Sequence, residues 1–178
     1  MTLPETATGA LPTPGLWRRL ACFFYEGVLL FGVVMGAGFV YSLATQQTHA
    51  LQGRIGLVAF LFIVLGLYFT WFWSRSGQTL AMQTWHVRVV GADGRPVTRA
   101  RAAARYLASY LWFMPALLLL WGAGLTHDRA TIGLVLAGGV VAYALLTLLH
   151  PQRQYWHDAL CGTRLVTWRP PPRALTRP

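Results

Sequence analysis

Four apolar runs, separated by short polar joints, constrain this 178-residue chain more than any other feature. They cover roughly residues 21–43, 55–73, 107–125 and 131–149. Each approaches the about 20 residues that a helix needs to cross a bilayer. Hydrocarbon offers no water to exposed amides, so a crossing segment must satisfy its own backbone hydrogen bonds and is helical. The chain is 55% hydrophobic and 11% charged, against about 25% charged in a soluble domain. The expected fold is an all-α membrane protein, with four transmembrane helices and a small cytoplasmic β element, built on residues 17–168. Residues 1–16, rich in Pro, Thr and Ala, read as a disordered N-terminal tail. Residues 169–178 read as a basic Pro-rich tail.

The fifteen basic residues are all arginine. With both termini placed in the cytoplasm, thirteen fall on that side and two, Arg54 and Arg129, on the other. That asymmetry is the positive-inside pattern. It predicts contact with anionic headgroups, each nearby Arg adding about 1 kcal/mol of attraction. It also accounts for the net charge of +10 without a nucleic-acid partner. Cys22 and Cys161 then lie on the reducing side, where a disulfide is not expected. Trp17, Trp71, Trp73, Trp121 and Trp156 fall near span ends and read as interfacial anchors. Gly32 and Gly36 in the first run allow close helix approach, within the bundle or between protomers of a homo-oligomer; a membrane-protein partner is the alternative. Pro115 interrupts the third run and predicts a kink.

The longest joint, residues 74–105, carries structure of its own. Residues 78–85 suit a short interfacial helix, and residues 86–90 alternate like a strand, with Val87 and Val89 on one face. The turn residues Gly91, Asp93 and Gly94 follow. Residues 163–168 alternate similarly, and the two strands are expected to pair. Thr98 is a candidate N-cap for the segment leading into the third run.

Glu26 is the one carboxylate within the four runs. A charge at mid-membrane costs about 2.5–3.5 kcal/mol on insertion scales, so such a group needs a partner or a purpose. Arg19 precedes it by two helical turns on the same face. Arg105, entering the third run from the same side, is expected to close on Glu26, with Asp158 alongside. Arg19, Glu26, Arg105 and Asp158 thus form a predicted inner-leaflet cluster, serving as an ion site or as a structural tie. His157 and Cys161 are too few for a structural zinc site, and no cofactor or metal is expected. No nucleophile–base constellation or phosphate loop is present, so enzymatic activity is not expected.

Three local patterns resemble the RDD family of small membrane proteins. The first is the stretch 17–26, from Trp17 through Arg18, Arg19 and Tyr25 to Glu26. The second is Ser76, Gly77, Gln78, Thr79 and Leu80, leading to Val87–Val90 and the Asp93-Gly94 turn. The third is the stretch 155–163, with Trp156, His157, Asp158, Gly162 and Thr163. The family is named for one Arg and two Asp. Those positions carry over to Arg19, to Glu26 in place of the first Asp, and to Asp158. Where the family often has Gly-Lys, this chain has Ala81-Met82. The resemblance implies a multi-pass protein of the bacterial inner membrane, with transport as the usual suggestion. The expected function is a small transporter or ion-exchange subunit. The alternative is a non-catalytic accessory protein that binds or stabilises a membrane complex.

Overall fold

A computed structural model describes residues 11–46, 53–149 and 154–169. Of these, 71% are helical. The tail readings for residues 1–10 and 170–178 lie outside the described residues. In chain order the elements are helices α1 (Leu16–Thr45), α2 (Arg54–Arg75) and α3 (Leu80–Thr84), then strand β1 (Val87–Gly91). Helix α4 (Arg99–Ser109) continues through a 3-10 turn, Tyr110–Trp112, into α5 (Met114–Gly122). Helix α6 (Arg129–Leu146) ends in a 3-10 turn, Thr147–Leu149, and α7 (Trp156–Leu160) leads to β2 (Thr163–Thr167).

Three helices, α1, α2 and α6 with its final turn, are long and apolar enough to cross a bilayer. The fourth candidate is a pair: α4 with its 3-10 turn, then α5, bent by 40°. The chain therefore has three to four candidate spans, and the kink expected where Pro115 interrupts the third run appears as this break. Pro115, in the first turn of α5, is the cause. Proline has no amide hydrogen, and its ring excludes the carbonyl of residue 111 from helical geometry. The nine residues of α5 reach only about 14 Å, well short of the about 30 Å hydrocarbon core. Helix α4 is capped by Thr98, whose hydroxyl accepts from the Arg101 amide at 3.3 Å. It buries Ala102, Arg105 and Tyr106 and exposes Arg99 and Arg101.

Strands β1 and β2 pair antiparallel, as expected, with Val89 opposite Leu165. Two strands alone are marginal, and here each outer edge is satisfied by a glutamine. Gln78 Nε2 donates to the Val87 carbonyl at 2.7 Å. Gln154 imitates a third strand: its Nε2 donates to the Leu165 carbonyl at 3.1 Å and its Oε1 accepts from the Leu165 amide at 2.9 Å. The Thr167 amide donates to the Pro12 carbonyl at 2.9 Å, and Pro14 is fully buried. Residues 11–15, expected within the disordered tail, are thus packed against β2. A Pro-rich stretch is already extended, so it meets a strand edge at little entropic cost.

The chain runs through one order of elements twice: α1, α2, α3, β1, then the α4–α5 pair, α6, α7, β2. Arg54 opens α2 as Arg129 opens α6. Tyr68 and Tyr143 occupy matching positions, and Gln78 and Gln154 cap matching strands. A left-handed residue precedes each strand, His86 at φ 53° and Gly162 at φ 61°. The strands cross at equivalent residues, Val89 and Leu165, which puts a local two-fold there. Helix α1 packs on α2 and α3 much as α5 packs on α6 and α4 on α7. The symmetry then breaks: α2 lies along α4, but α1 makes no comparable contact with α6. One flank of α1 is left open.

Candidate functional site

The buried residues of α1 are Arg19, Cys22 and Glu26. Their spacing of three, four and seven sets them in one line along the helix. Arg105 comes from α4, and His157 and Asp158 from α7. These elements converge at the sheet end of the helices on a cavity of about 840 Å³. Arg19, Glu26, Arg105 and His157 line it, together with apolar walls from Phe23, Leu65, Phe69, Trp112 and Phe113. Asp158, fully buried, sits behind Arg105 and outside the lining.

Arg105 and Asp158 form the ion pair of the site. Arg105 Nε donates to Asp158 Oδ1 at 2.6 Å, and the guanidinium lies 4.1 Å from the centre of the Trp73 ring. Thr163 Oγ1 donates to the same carboxylate oxygen at 3.2 Å. Burial pushes the Asp158 carboxyl up. Arg105, His157 and the Arg105 and Thr163 hydrogen bonds together outweigh burial and hold it below the usual carboxylate range. The Tyr143 hydroxyl accepts from the His157 amide at 3.1 Å and lies 3.0 Å from His157 Nδ1. With the Tyr143 hydroxyl as the donor to Nδ1, the ring proton sits on Nε2, 3.7 Å from Asp158 Oδ1. Burial lowers the His157 pKa to about 4 despite the nearby Asp158. His157 is accordingly neutral at pH 7.

Glu26 is held differently. Tyr68 donates its hydroxyl to Oε1 at 2.9 Å, and Thr79 donates to Oε2. Thr79 also caps α3, its hydroxyl oxygen accepting from the Met82 amide at 3.3 Å. One side chain thus starts a helix and binds the carboxylate. Among the described residues no Arg or His forms an ion pair with Glu26. The expected closure of Arg19 and Arg105 on Glu26 is corrected: Arg105 is committed to Asp158, and Arg19 lies 4.8 Å from the centre of the Tyr155 ring. Two hydroxyls already occupy both oxygens of Glu26, which removes the need for a cation. The four residues expected to cluster are all buried around one region, but as a salt bridge, a stacked Arg and a hydroxyl-bound acid.

Trp73 is another correction, since it is buried beneath Arg105, whereas Trp17, Trp71, Trp121 and Trp156 are exposed. The partners missed from sequence are Tyr68, Thr79 and Tyr143. Each carried a signal: two tyrosines at matching places in two apolar runs, and a threonine at a helix start. Among the described residues no three His, Cys, Asp or Glu side chains gather as a metal site. No curated protein and no solved structure matches the chain. The model of the RDD family matches residues 13–162, a stretch that holds every residue of this site except the strand end that supports it. The chain therefore belongs to the RDD family of small polytopic membrane proteins.

Proposed function

We propose that this chain is a small transport or ion-exchange subunit of the bacterial inner membrane, in which Glu26 takes up and releases the proton or cation. One observation carries the reading. Glu26 lies within a candidate span, borders the cavity, and is held by neutral hydroxyls rather than by a cation. An acid locked to arginine keeps its charge. An acid held by hydroxyls changes its protonation more readily, because each hydroxyl can turn from donor to acceptor. Ionisable groups within membrane spans mark ion or proton paths by default.

In this reading the bent α4–α5 pair is one span, so four helices cross. Thirteen arginines against two support an orientation with both termini and the sheet in the cytoplasm, in which the cavity opens in the inner leaflet. In a cysteine-free variant, one cysteine at Thr126 should react with an impermeant thiol reagent in intact cells, and one at Ala92 should not. The opposite labelling overturns the orientation.

The site is tested by flux in proteoliposomes under a pH or sodium gradient. Glu26→Gln should abolish flux in protein that remains monodisperse, and Glu26→Asp should keep part of it. Unchanged flux in folded Glu26→Gln protein overturns the reading. A second reading, an accessory subunit, draws on α1: nothing lies within 4 Å of where a side chain would begin at Gly32 or Gly36. Co-purification with a membrane complex, together with absent wild-type flux, would favour it.

A further inference from the structure

The cavity is shaped for something other than a bare ion. Its volume, about 840 Å³, lies within the about 300–1,000 Å³ of sites that enclose drug-sized ligands. Most of its wall is apolar. Phe24, Val28 and Phe31 line it and are also 70%, 69% and 68% exposed, so the cavity runs out along the flank of α1. These exposed side chains mark a flank of α1 that no other helix covers among the described residues. In a bilayer such an opening faces acyl chains.

The polar end is just as specific. Arg105 is 5% exposed and spends Nε on Asp158. Neither of its Nη groups has a hydrogen-bond partner among the described residues. Neither is among the buried atoms that lack a partner, so both border open space. Both are therefore open to the cavity, where a ligand that supplies acceptors can form charge-assisted hydrogen bonds with them.

We infer that the cavity binds a single-chain amphiphile with an anionic phosphate or carboxylate head, the head on Arg105 and Arg19 and the chain along α1. Charge selects the head. Asp158 lies behind Arg105, so two guanidiniums, Arg105 and Arg19, border the cavity against one carboxylate, Glu26, whose oxygens accept hydroxyls. A cationic head would be repelled by both. A zwitterionic head would bring its own cation against them. A planar guanidinium fork fits phosphate and carboxylate oxygens in paired, charge-assisted hydrogen bonds. Arg105 and the open flank of α1 carry this binding independently of the chemistry proposed for Glu26.

The test uses the full chain in detergent micelles. Two lysophospholipids with the same brominated chain are titrated, one with a phosphate head and one with a phosphocholine head. Trp73 and Trp112 line the cavity, so bromine in the site quenches their fluorescence. The phosphate-headed lipid should quench saturably at about tenfold lower concentration than the phosphocholine lipid. Excess inorganic phosphate should not displace it, because the chain contributes to binding. Gly27 lines the cavity with nothing within 4 Å of where its side chain would begin, so Gly27→Leu fits and fills the cleft. It should weaken binding about tenfold while favouring the helix. Arg105→Lys keeps a charge against Asp158 but loses the fork, and should narrow the head preference without reversing it. Glu26→Gln removes a like charge and should bind at least as well, although it abolishes the proposed flux. Loss of flux with binding intact therefore leaves this inference standing, and binding without head preference overturns it alone. Equal titration by the two heads, displacement by inorganic phosphate, or quenching unchanged by Gly27→Leu would each overturn it. Where a variant fails to fold, the comparison of heads on the wild-type protein decides.

Discussion

Each half of the chain sets one acid at the buried site, and the two are treated in opposite ways. In the first half Glu26 sits on the long helix α1, beside the cavity, under the hydroxyls of Tyr68 and Thr79. In the second half the acid has moved to the short helix α7, where Asp158 is fully buried against Arg105. The matching tyrosine, Tyr143, serves His157 instead. One frame of elements thus yields a neutralised acid that ties α4 to α7 and a hydroxyl-bound acid that faces open space. Repetition fixes where a polar side chain can sit, and the charge of its neighbour decides what it can do there.

The largest expected effect breaks the second half. Asp158→Asn leaves Arg105 buried without its counter-charge, a change that costs about 3–5 kcal/mol. The melting temperature in detergent should fall sharply, and adding Arg105→Gln should recover part of the loss. Glu26→Gln should cost far less, about 1 kcal/mol, since its amide still accepts one hydroxyl and donates to the other. Combined with Arg105→Gln, its loss should simply add. Recovery in the Glu26 double variant, or additivity in the Asp158 one, would erase the contrast between the halves.

Acid should act through the second half next. Folding holds His157 at a pKa of about 4, against 6.5 ordinarily. Between those values the unfolded chain carries more proton than the folded one, so stability is full above the upper value and falls as pH drops through the window. Asp158, held below the usual carboxylate range, adds a loss of the same sign at lower pH. The melting temperature should therefore decline from pH 7 to pH 5. His157→Asn keeps an acceptor for the Tyr143 hydroxyl and should flatten that decline. An unchanged slope in His157→Asn would assign the decline elsewhere.

Much of this architecture is legible in the sequence because its causes are local. Lipid forces apolar runs into helices, Thr98 caps α4, and Pro115 breaks the run that follows. The strand pair follows from alternation and the Gly91–Gly94 turn, closed by the Gly94 amide on the Gly91 carbonyl at 2.8 Å. The choice of partners was not legible. Arg105 enters the site from a different helix than either acid, and spacing along the chain gives no distance across it. Trp71 and Trp73 are two residues apart, which on a helix separates an exposed face from a buried one. The repeat was hidden because few identities mark it: Arg54 with Arg129, Tyr68 with Tyr143, Gln78 with Gln154, Arg88 with Arg164. Residues 11–15 read as disorder by composition, yet the outer edge of β2 requires a partner, and Pro12 supplies one.

The smallest expected difference lies in the sheet, where the halves come closest to symmetry. Gln78 gives β1 one hydrogen bond, to the Val87 carbonyl, and the Gly77 carbonyl separately takes the Val89 amide at 2.8 Å. Gln154 gives β2 two bonds, donor and acceptor both on Leu165, from a side chain that is itself buried. Gln78→Leu therefore strands one carbonyl near the surface of the sheet. Gln154→Leu strands an amide and a carbonyl in the interior. With each net bond worth about 1 kcal/mol, Gln154→Leu should be the less stable variant by about 1 kcal/mol. Amide exchange gives the sharper reading. The Leu165 amide should lose protection in Gln154→Leu, while the Val89 amide, bonded to Gly77, should keep its protection in Gln78→Leu. Equal stability with Leu165 still protected would mean that β2 finds another edge partner, and that the two edges are interchangeable after all.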